Sequence, residues 1–303
     1  MYKNLNCDLL GISGRQSEII ELALTYGFRG IEIDMDDLVK RCQRSSFENA
    51  SRFLASSKLK IAGFDAPIDL DSDDESFTTH LAKLHPVAEI ASRAEAQMAI
   101  VGIPHGTNRL PYPEYFDVVR KRIDQIAEVL GKEGVRVALT FDVHAPTAEE
   151  KQFKFVRDVE GFLAIARACT AKNVGIVFDS WNWFVGGGDV AALEQFGLQR
   201  VTTVRLADCR EGVEASVATH EDCLLPGSSD TIDNAAILQK FVAAGLKLPV
   251  AARGNALDVS PTRDALVGLA QTSLDKVFEA VGLPSHTRRP EMFVENSYAR
   301  SSY

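Results

Sequence analysis

The sequence predicts a single α/β domain closed into a (β/α)8 barrel. Short β-branched runs alternate with longer segments of helical period, the pattern of parallel strands joined by crossover helices. The alternation repeats eight times with no linker, low-complexity tract or break in composition. A third observation argues against the main rival, the doubly wound dinucleotide-binding sheet. That fold wants G-x-G-x-x-G straight after its first strand, and Gly11-Ile12-Ser13-Gly14 lacks the spacing. A chain of 303 residues accommodates one such barrel over residues 1–282. The remaining 283–303, beginning LPSHTRRP, is polar and aperiodic. It is expected to be a surface arm, a tail, or a contact to a second copy in a homo-oligomer.

The expected strands, in order, are CDLLGI at 7–12, FRGIEID at 28–34, KIAGFD at 60–65, QMAIVGI at 97–103, VRVALTF at 135–141, VGIVFD at 174–179, VTTVRLAD at 201–208 and LPVAAR at 248–253. Between them, Ile19, Ile20, Ala23 and Leu24 form the apolar face of a helix that Gly27 ends, since glycine takes the left-handed conformation other residues resist. Gly131 and Gly245 are read as the same stop. Thr147 stands three residues before Glu150, a capping-box spacing that predicts a helix running through Phe153 and Val156. Helical period also covers 77–95, 113–130, 234–244 and 263–281. The glycines 186–188 predict a tight turn ahead of a helix starting near Asp189.

Charge narrows the partners. Lys plus Arg number 33 against 42 for Asp plus Glu, a net charge of −9 that repels nucleic-acid phosphates and anionic membranes. No run of about 18 apolar residues and no signal-like start is present, so a cytoplasmic protein is expected. The five cysteines are odd in number and form no C-x-x-C pair, so they read as reduced thiols.

In a closed barrel the strand C-termini and the loops after them face one mouth, where catalytic groups collect. The polar residues at those positions are Glu32 and Asp34, Asp65, His105, then Thr140, Asp142 and His144, Asp179 and Asn182, Arg205 and Asp208, and Arg253 and Asn255.

Four motifs on these strands carry a resemblance that spans roughly residues 5–282. Gly30-Ile31-Glu32 matches G-(V/I)-E on strand two, and VGIVFDSWN follows V-G-(I/L)-x-x-D-x-x-H on strand six. Arg205-Leu206-Ala207-Asp208 parallels H-(I/V/L)-x-D on strand seven, and LPGSSDTID, Leu225 to Asp233, follows L-P-G-x-G-x-(I/V)-D. On these motifs the chain resembles the xylose isomerase-like TIM barrels, which include sugar (phosphate) isomerases and epimerases, inosose dehydratases and endonuclease IV. The resemblance implies a divalent cation such as Mn or Mg, held by Glu, Asp, His and Glu ending strands five to eight. The cation polarises the substrate's oxygens while the two glutamates move a proton beside its carbonyl.

Position by position, this sequence offers Thr140, Asp179, Arg205 and Arg253 instead, and Asn182 stands where the strand-six His is usual. Guanidiniums stay protonated, and two unit charges about 4 Å apart interact by roughly 4 kcal/mol at an effective dielectric near 20. No metal is therefore expected at the family position, and no other cofactor. Asp179 is expected to pair with Arg205 or Arg253.

Other readings stay open. Asp179 could merely cap a strand end. Trp181 and Trp183 suit either a stacking platform for a sugar ring or packing. His105 fits a mouth residue or a structural histidine, and Asp142 and His144 are the candidates for a base or a shifted metal. Arg205 and Arg253 either lock salt bridges or grip a ligand's carboxylate or phosphate. The expected function is a sugar isomerase/epimerase-like protein binding a small carbohydrate, with Glu32, Asp142 and His144 as acid/base groups and His105, Asp179, Asn182, Trp183, Arg205 and Arg253 around the substrate. The alternative is a non-catalytic carbohydrate-binding or assembly protein on the same scaffold. A DNA-repair endonuclease is disfavoured: six scattered histidines and net negative charge supply neither a zinc cluster nor attraction to DNA.

Overall fold

Eight parallel strands close on themselves as the sequence predicts. The computed structural model describes residues 1–143, 151–257 and 259–285. The barrel strands are β1 (Tyr2–Leu5), β2 (Gly30–Glu32), β3 (Lys60–Asp65), β4 (Met98–Gly102), β5 (Arg136–Thr140), β6 (Val174–Asp179), β7 (Val201–Leu206) and β8 (Pro249–Ala252). Each pairs with its neighbours in sequence, and β1 joins β8 through Tyr2–Pro249 and Lys3–Val250. Around them lie α1 (Gln16–Thr25), α2 (Met35–Arg44), α3 (Phe47–Ser57), α4 (Asp74–Arg93), α5 (Tyr112–Lys132), α6 (Val159–Ala168), α7 (Ser180–Val185), α8 (Val190–Phe196), α9 (Asn234–Ala243) and α10 (Arg263–Ala280).

Seven strands fall within two residues of expectation; the first does not. Residues 8–10 form a short 3-10 turn closed by Gly11 at φ 64°, and β1 lies upstream in Tyr-Lys-Asn-Leu. The polar Lys3 and Asn4 conceal that strand in the sequence, yet both are buried. Lys3 is tolerated there because its ammonium meets Asp275 of α10 at 2.5 Å, with Gln271 bonding the same carboxylate. The seam where first and last strands meet is thus clamped by an ion pair to the last helix.

Two helix expectations are corrected. Thr147 and Glu150 lie outside the described residues, but Phe153–Lys154 is a short strand paired antiparallel with Gly106–Thr107. The helix begins later, at Val159, where Asp158 Oδ1 accepts the Gly161 N–H at 2.7 Å. Gly131 lies inside α5; the left-handed stop is Gly134, at φ 75°. Gly27 and Gly245 do stop their helices, at φ 71° and 70°. Helices α2, α3 and α7 carried no expectation.

Strand parity sets the mouth. Ala99, Val101, Val137, Leu139, Ile176, Phe178, Val204 and Leu206 belong to the large core against the helices, while Met98, Ile100, Ala138 and Val177 form a separate small cluster. Side chains alternate with period two, so that cluster fills the barrel interior. One step further along the same inward rows stand Thr140 and Asp179, and equivalent parity turns Glu32, Asp65, Arg205 and Arg253 inward. Replacing Asp275 by Ala leaves the Lys3 ammonium buried without its partner. Urea melts should show a loss of about 3–5 kcal/mol, whereas the paired change of Lys3 to Met and Asp275 to Leu should recover most of it.

Candidate functional site at the barrel mouth

A cavity of about 760 Å³ opens over the C-terminal strand ends, walled by the turn after β4, the exits of β5, β7 and β8, and the loops at 8–11 and 69–71. An adjoining cavity of about 450 Å³ shares Asp8 with it and reaches Asn6, Glu32 and Asp65.

Two ion pairs organise the floor. Arg253, just past β8, places Nη1 at 2.7 Å from Asp179 Oδ2, and its Nη2 stands 3.9 Å from Asp142. The other oxygen of Asp179 accepts the Asn182 N–H at 3.1 Å, capping α7. Asp179 is therefore both the strand-end cap and the arginine's partner. Burial works to lower the Arg253 pKa, but the nearby carboxylates of Asp179 and Asp142 oppose it and help to hold the guanidinium above its ordinary value. The same arginine does little for the Cys223 thiol, which burial pushes up to about 12.

Arg205 does not reach Asp179. From β7 it crosses the barrel to Glu32 on β2, Nη2 to Oε2 at 3.3 Å. Glu32 also accepts Asn4 Nδ2 at 3.0 Å and Asn6 Nδ2 at 2.5 Å. Burial raises the Glu32 carboxyl, opposed by Arg205 and Asn6 and reinforced by Asp65. Asp65 is raised as well, again chiefly by burial. The Nε of Arg205 is buried and has no hydrogen-bond partner.

Asn182 lines the cavity and is fully engaged: Nδ2 donates to Phe141 O at 2.8 Å, and Oδ1 accepts the Val143 N–H at 3.4 Å. Its amide can do both because it carries a donor and an acceptor side by side, so it staples the exit of β5 to α7. His105 also lines the cavity. Burial first, then Arg157 and Lys151, lower its pKa, and its Nε2 is buried without a partner. Asp142 is on the cavity wall as expected, and His144 lies outside the described residues.

Other expected mouth residues have structural work. Trp183 is corrected: it is buried in the core beside Phe178, and its Nε1 donates to Asp189 O at 2.9 Å, away from the cavity. Trp181 is likewise buried, among Ala207, Cys209 and Ile232. The glycines of 186–188 serve this packing. A Cβ on Gly188 would meet the Trp183 ring at 2.6 Å, while Gly187 turns the chain at φ 70°. Asp34 caps α2 through the Asp37 N–H. Asp208 is completely buried and gathers the N–H groups of Ser229 and Ile232, fixing the loop from Leu225 to Asp233.

Sequence reasoning passed over Asp8, Asp69, Asp71 and Lys151, all on the cavity wall. Asp71 accepts Thr107 Oγ1 at 2.5 Å and Tyr115 OH at 2.8 Å, and Lys151 reaches it at 3.5 Å. These are loop residues without periodicity; the acidic run DLDSDD was the only visible signal.

Among the described residues no group of three His, Cys, Asp or Glu side chains could hold a metal ion, and no helix is long and apolar enough to cross a membrane. A family model described as the xylose isomerase-like TIM barrel matches residues 20–253. The chain is 23% identical over 210 residues to an inosose isomerase of Bacillus velezensis, covering 69% of this chain and 72% of that one. It superposes on a xylose isomerase domain protein from Alicyclobacillus acidocaldarius with a TM-score of 0.79 at 23% identity, over 93% of this chain and 99% of the other. It also superposes on the IOLI protein crystallised with a zinc atom, with a TM-score of 0.73 at 19% identity over 93% and 98% of the two chains.

Two outcomes follow from the pairs. Arg253→Met should cost about 3–5 kcal/mol in urea melts by leaving Asp179 buried alone, and adding Asp179→Asn should recover part of it. For Glu32, the folded chain retains a proton that the unfolded chain releases at its ordinary value of 4.5. Its contribution to stability is therefore lost as pH rises from there through the raised value, and does not change below. The melting temperature of wild type relative to Glu32→Gln should fall from acid toward neutral pH; a flat difference would show that Glu32 is not raised.

Proposed function

Because the chain belongs to the xylose isomerase-like TIM barrel family, we propose that its mouth binds a sugar, sugar acid or sugar phosphate in the manner of a sugar isomerase or epimerase, with arginine charge standing in for the family's divalent ion. The observation that carries this is the 2.7 Å contact between Arg253 and Asp179. The four positions that resemble the ion's ligands hold one carboxylate, two guanidiniums and Thr140. The carboxylate's two oxygens are taken by Arg253 and the Asn182 N–H. A dication placed there would displace a buried ion pair and face two fixed positive charges, so these residues do not fit it.

Sugar isomerisation and epimerisation beside a carbonyl need a base for a C–H proton and a positive field for the oxygen that gains charge. Arg205, on the cavity wall and braced by Glu32, supplies the field. Asp142 and a neutral His105 flank the cavity as proton carriers, and Glu32 is the anchor that keeps Arg205 aimed across the barrel. The similarity to an inosose isomerase favours a polyhydroxylated ring or chain as ligand. Five free cysteines suit a reducing compartment such as the cytoplasm.

The second reading, a carbohydrate-binding protein without catalysis, is favoured by one observation: the oxygens of Asp179 and Glu32 are all engaged by donors, so neither is free to shuttle a proton. Deuterium exchange from solvent into ketoses and sugar acids separates the two. Exchange that persists in chelator is the outcome expected of the isomerase reading; binding without exchange across the panel selects the second. One tightly bound equivalent of Mn, Mg, Co or Zn in the purified protein would overturn the arginine substitution.

A further inference from the structure

Resting on the reading of the mouth as a carbohydrate site, the geometry points to one class of ligand: a polyhydroxy monocarboxylate, a sugar acid, in preference to a neutral sugar or a sugar phosphate. Three features of the cavity wall select it.

The first is an unfilled cationic donor. Arg205 is buried to all but 9% of its side chain, yet its Nε has no partner and its Nη2 makes a single long contact, 3.3 Å, to one oxygen of Glu32. A guanidinium presents five N–H groups in a planar fork that matches a carboxylate two at a time. Glu32 uses the fork by one tooth only, because Asn4 and Asn6 hold its oxygens from the other side. Burial raises both neighbouring carboxyls, Glu32 and Asp65, and Arg205 opposes that shift in each.

The second is that the other Arg and Lys side chains among the described residues of the cavity wall are spent. Arg253 is committed to Asp179 at 2.7 Å, and Lys151 lies 3.5 Å from Asp71. One spare positive donor set is enough for one negative charge. A phosphate dianion would bring a second charge into a wall that already carries Asp8, Asp69, Asp71 and Asp142.

The third is that those same carboxylates accept hydroxyl protons well, and His105 lines the same cavity with an unpartnered Nε2. A carboxylate presents about four acceptor positions, so a ligand with several hydroxyls adds charge-assisted hydrogen bonds on this wall that a plain carboxylic acid cannot. At about 760 Å³ the cavity holds a six-carbon acid with room for water.

Calorimetric titration of the full chain at constant ionic strength tests this with matched sets built on glucose, galactose and mannose, each comprising the neutral hexose, its uronate and its 6-phosphate. In at least one set the uronate should bind roughly tenfold or more tightly than both companions, the scale of one charge-assisted bidentate contact. A hexose or phosphate that binds as well as the uronate overturns the inference and leaves the carbohydrate reading standing. No binding by any member overturns both. Arg205→Lys keeps a positive charge opposite Glu32 but removes Nε; it should abolish the uronate's advantage over the hexose and the 6-phosphate of the same set. If the advantage survives in that variant, the assignment to Arg205 is wrong. The matched sets on the wild-type chain decide the class of ligand even if the variant folds poorly.

Discussion

A guanidinium inside a barrel cannot shed its charge, and every other feature of this mouth accommodates that fact. Two such groups point inward from adjacent strands, and the structure separates them by giving each its own carboxylate: Asp179 for Arg253, Glu32 for Arg205. The second pairing spans the barrel from β7 to β2. It draws in Asn4 and Asn6, whose amides both donate to Glu32. Removing either carboxylate would take the nearest partner from a buried cation, so each acid and its arginine stand or fall together.

Asp179 shows how closely fold and site are interleaved. The same side chain ends β6, caps α7 and neutralises Arg253. The short helix it caps carries Asn182, whose amide returns to Phe141 and Val143 and fixes the exit of β5, where Thr140 and Asp142 stand. Position 182 therefore acts on the site by holding backbone. An imidazole there could present one nitrogen to a ligand but could not match both a carbonyl and an N–H of the neighbouring strand in the way a primary amide does.

What was legible in the sequence divides along physical lines. Apolar alternation is a local signal, so β3 and β6 were readable to the residue and most other strands nearly so. β1 was not, because Lys3 and Asn4 are buried by partners 272 and 28 residues away in Asp275 and Glu32, and no local pattern encodes a distant partner. The inward-facing charges were readable by parity and by resemblance, but their pairing was not: sequence allowed either arginine to take Asp179, and only the crossing geometry sends Arg205 to Glu32 instead. The tryptophans misled for the opposite reason. Two large aromatic residues beside a strand end look like a sugar platform, whereas Gly188 removes a side chain that would collide with the Trp183 ring in its core position. The acidic wall at Asp69 and Asp71 sits on a loop whose shape depends on Thr107, Tyr115 and Lys151 arriving from elsewhere.

In the proposed reading the mouth keeps a fixed positive charge while changing its carrier. Three carboxylates, an imidazole and a dication leave one net negative charge among the family's ligands. One carboxylate with two guanidiniums leaves one net positive charge, and Glu32 brings the group to neutrality when ionised. A coordinated ion is held by the site but can leave it; a guanidinium is tethered and its donors have fixed directions. A metal can reorganise around each oxygen of a reacting sugar in turn, but Arg205 can serve only the oxygen that comes to its open edge. A site built this way therefore trades reach for orientation. It places greater demands on the ligand, which must bring the charged group to the arginine and its hydroxyls to the acidic wall in a single pose.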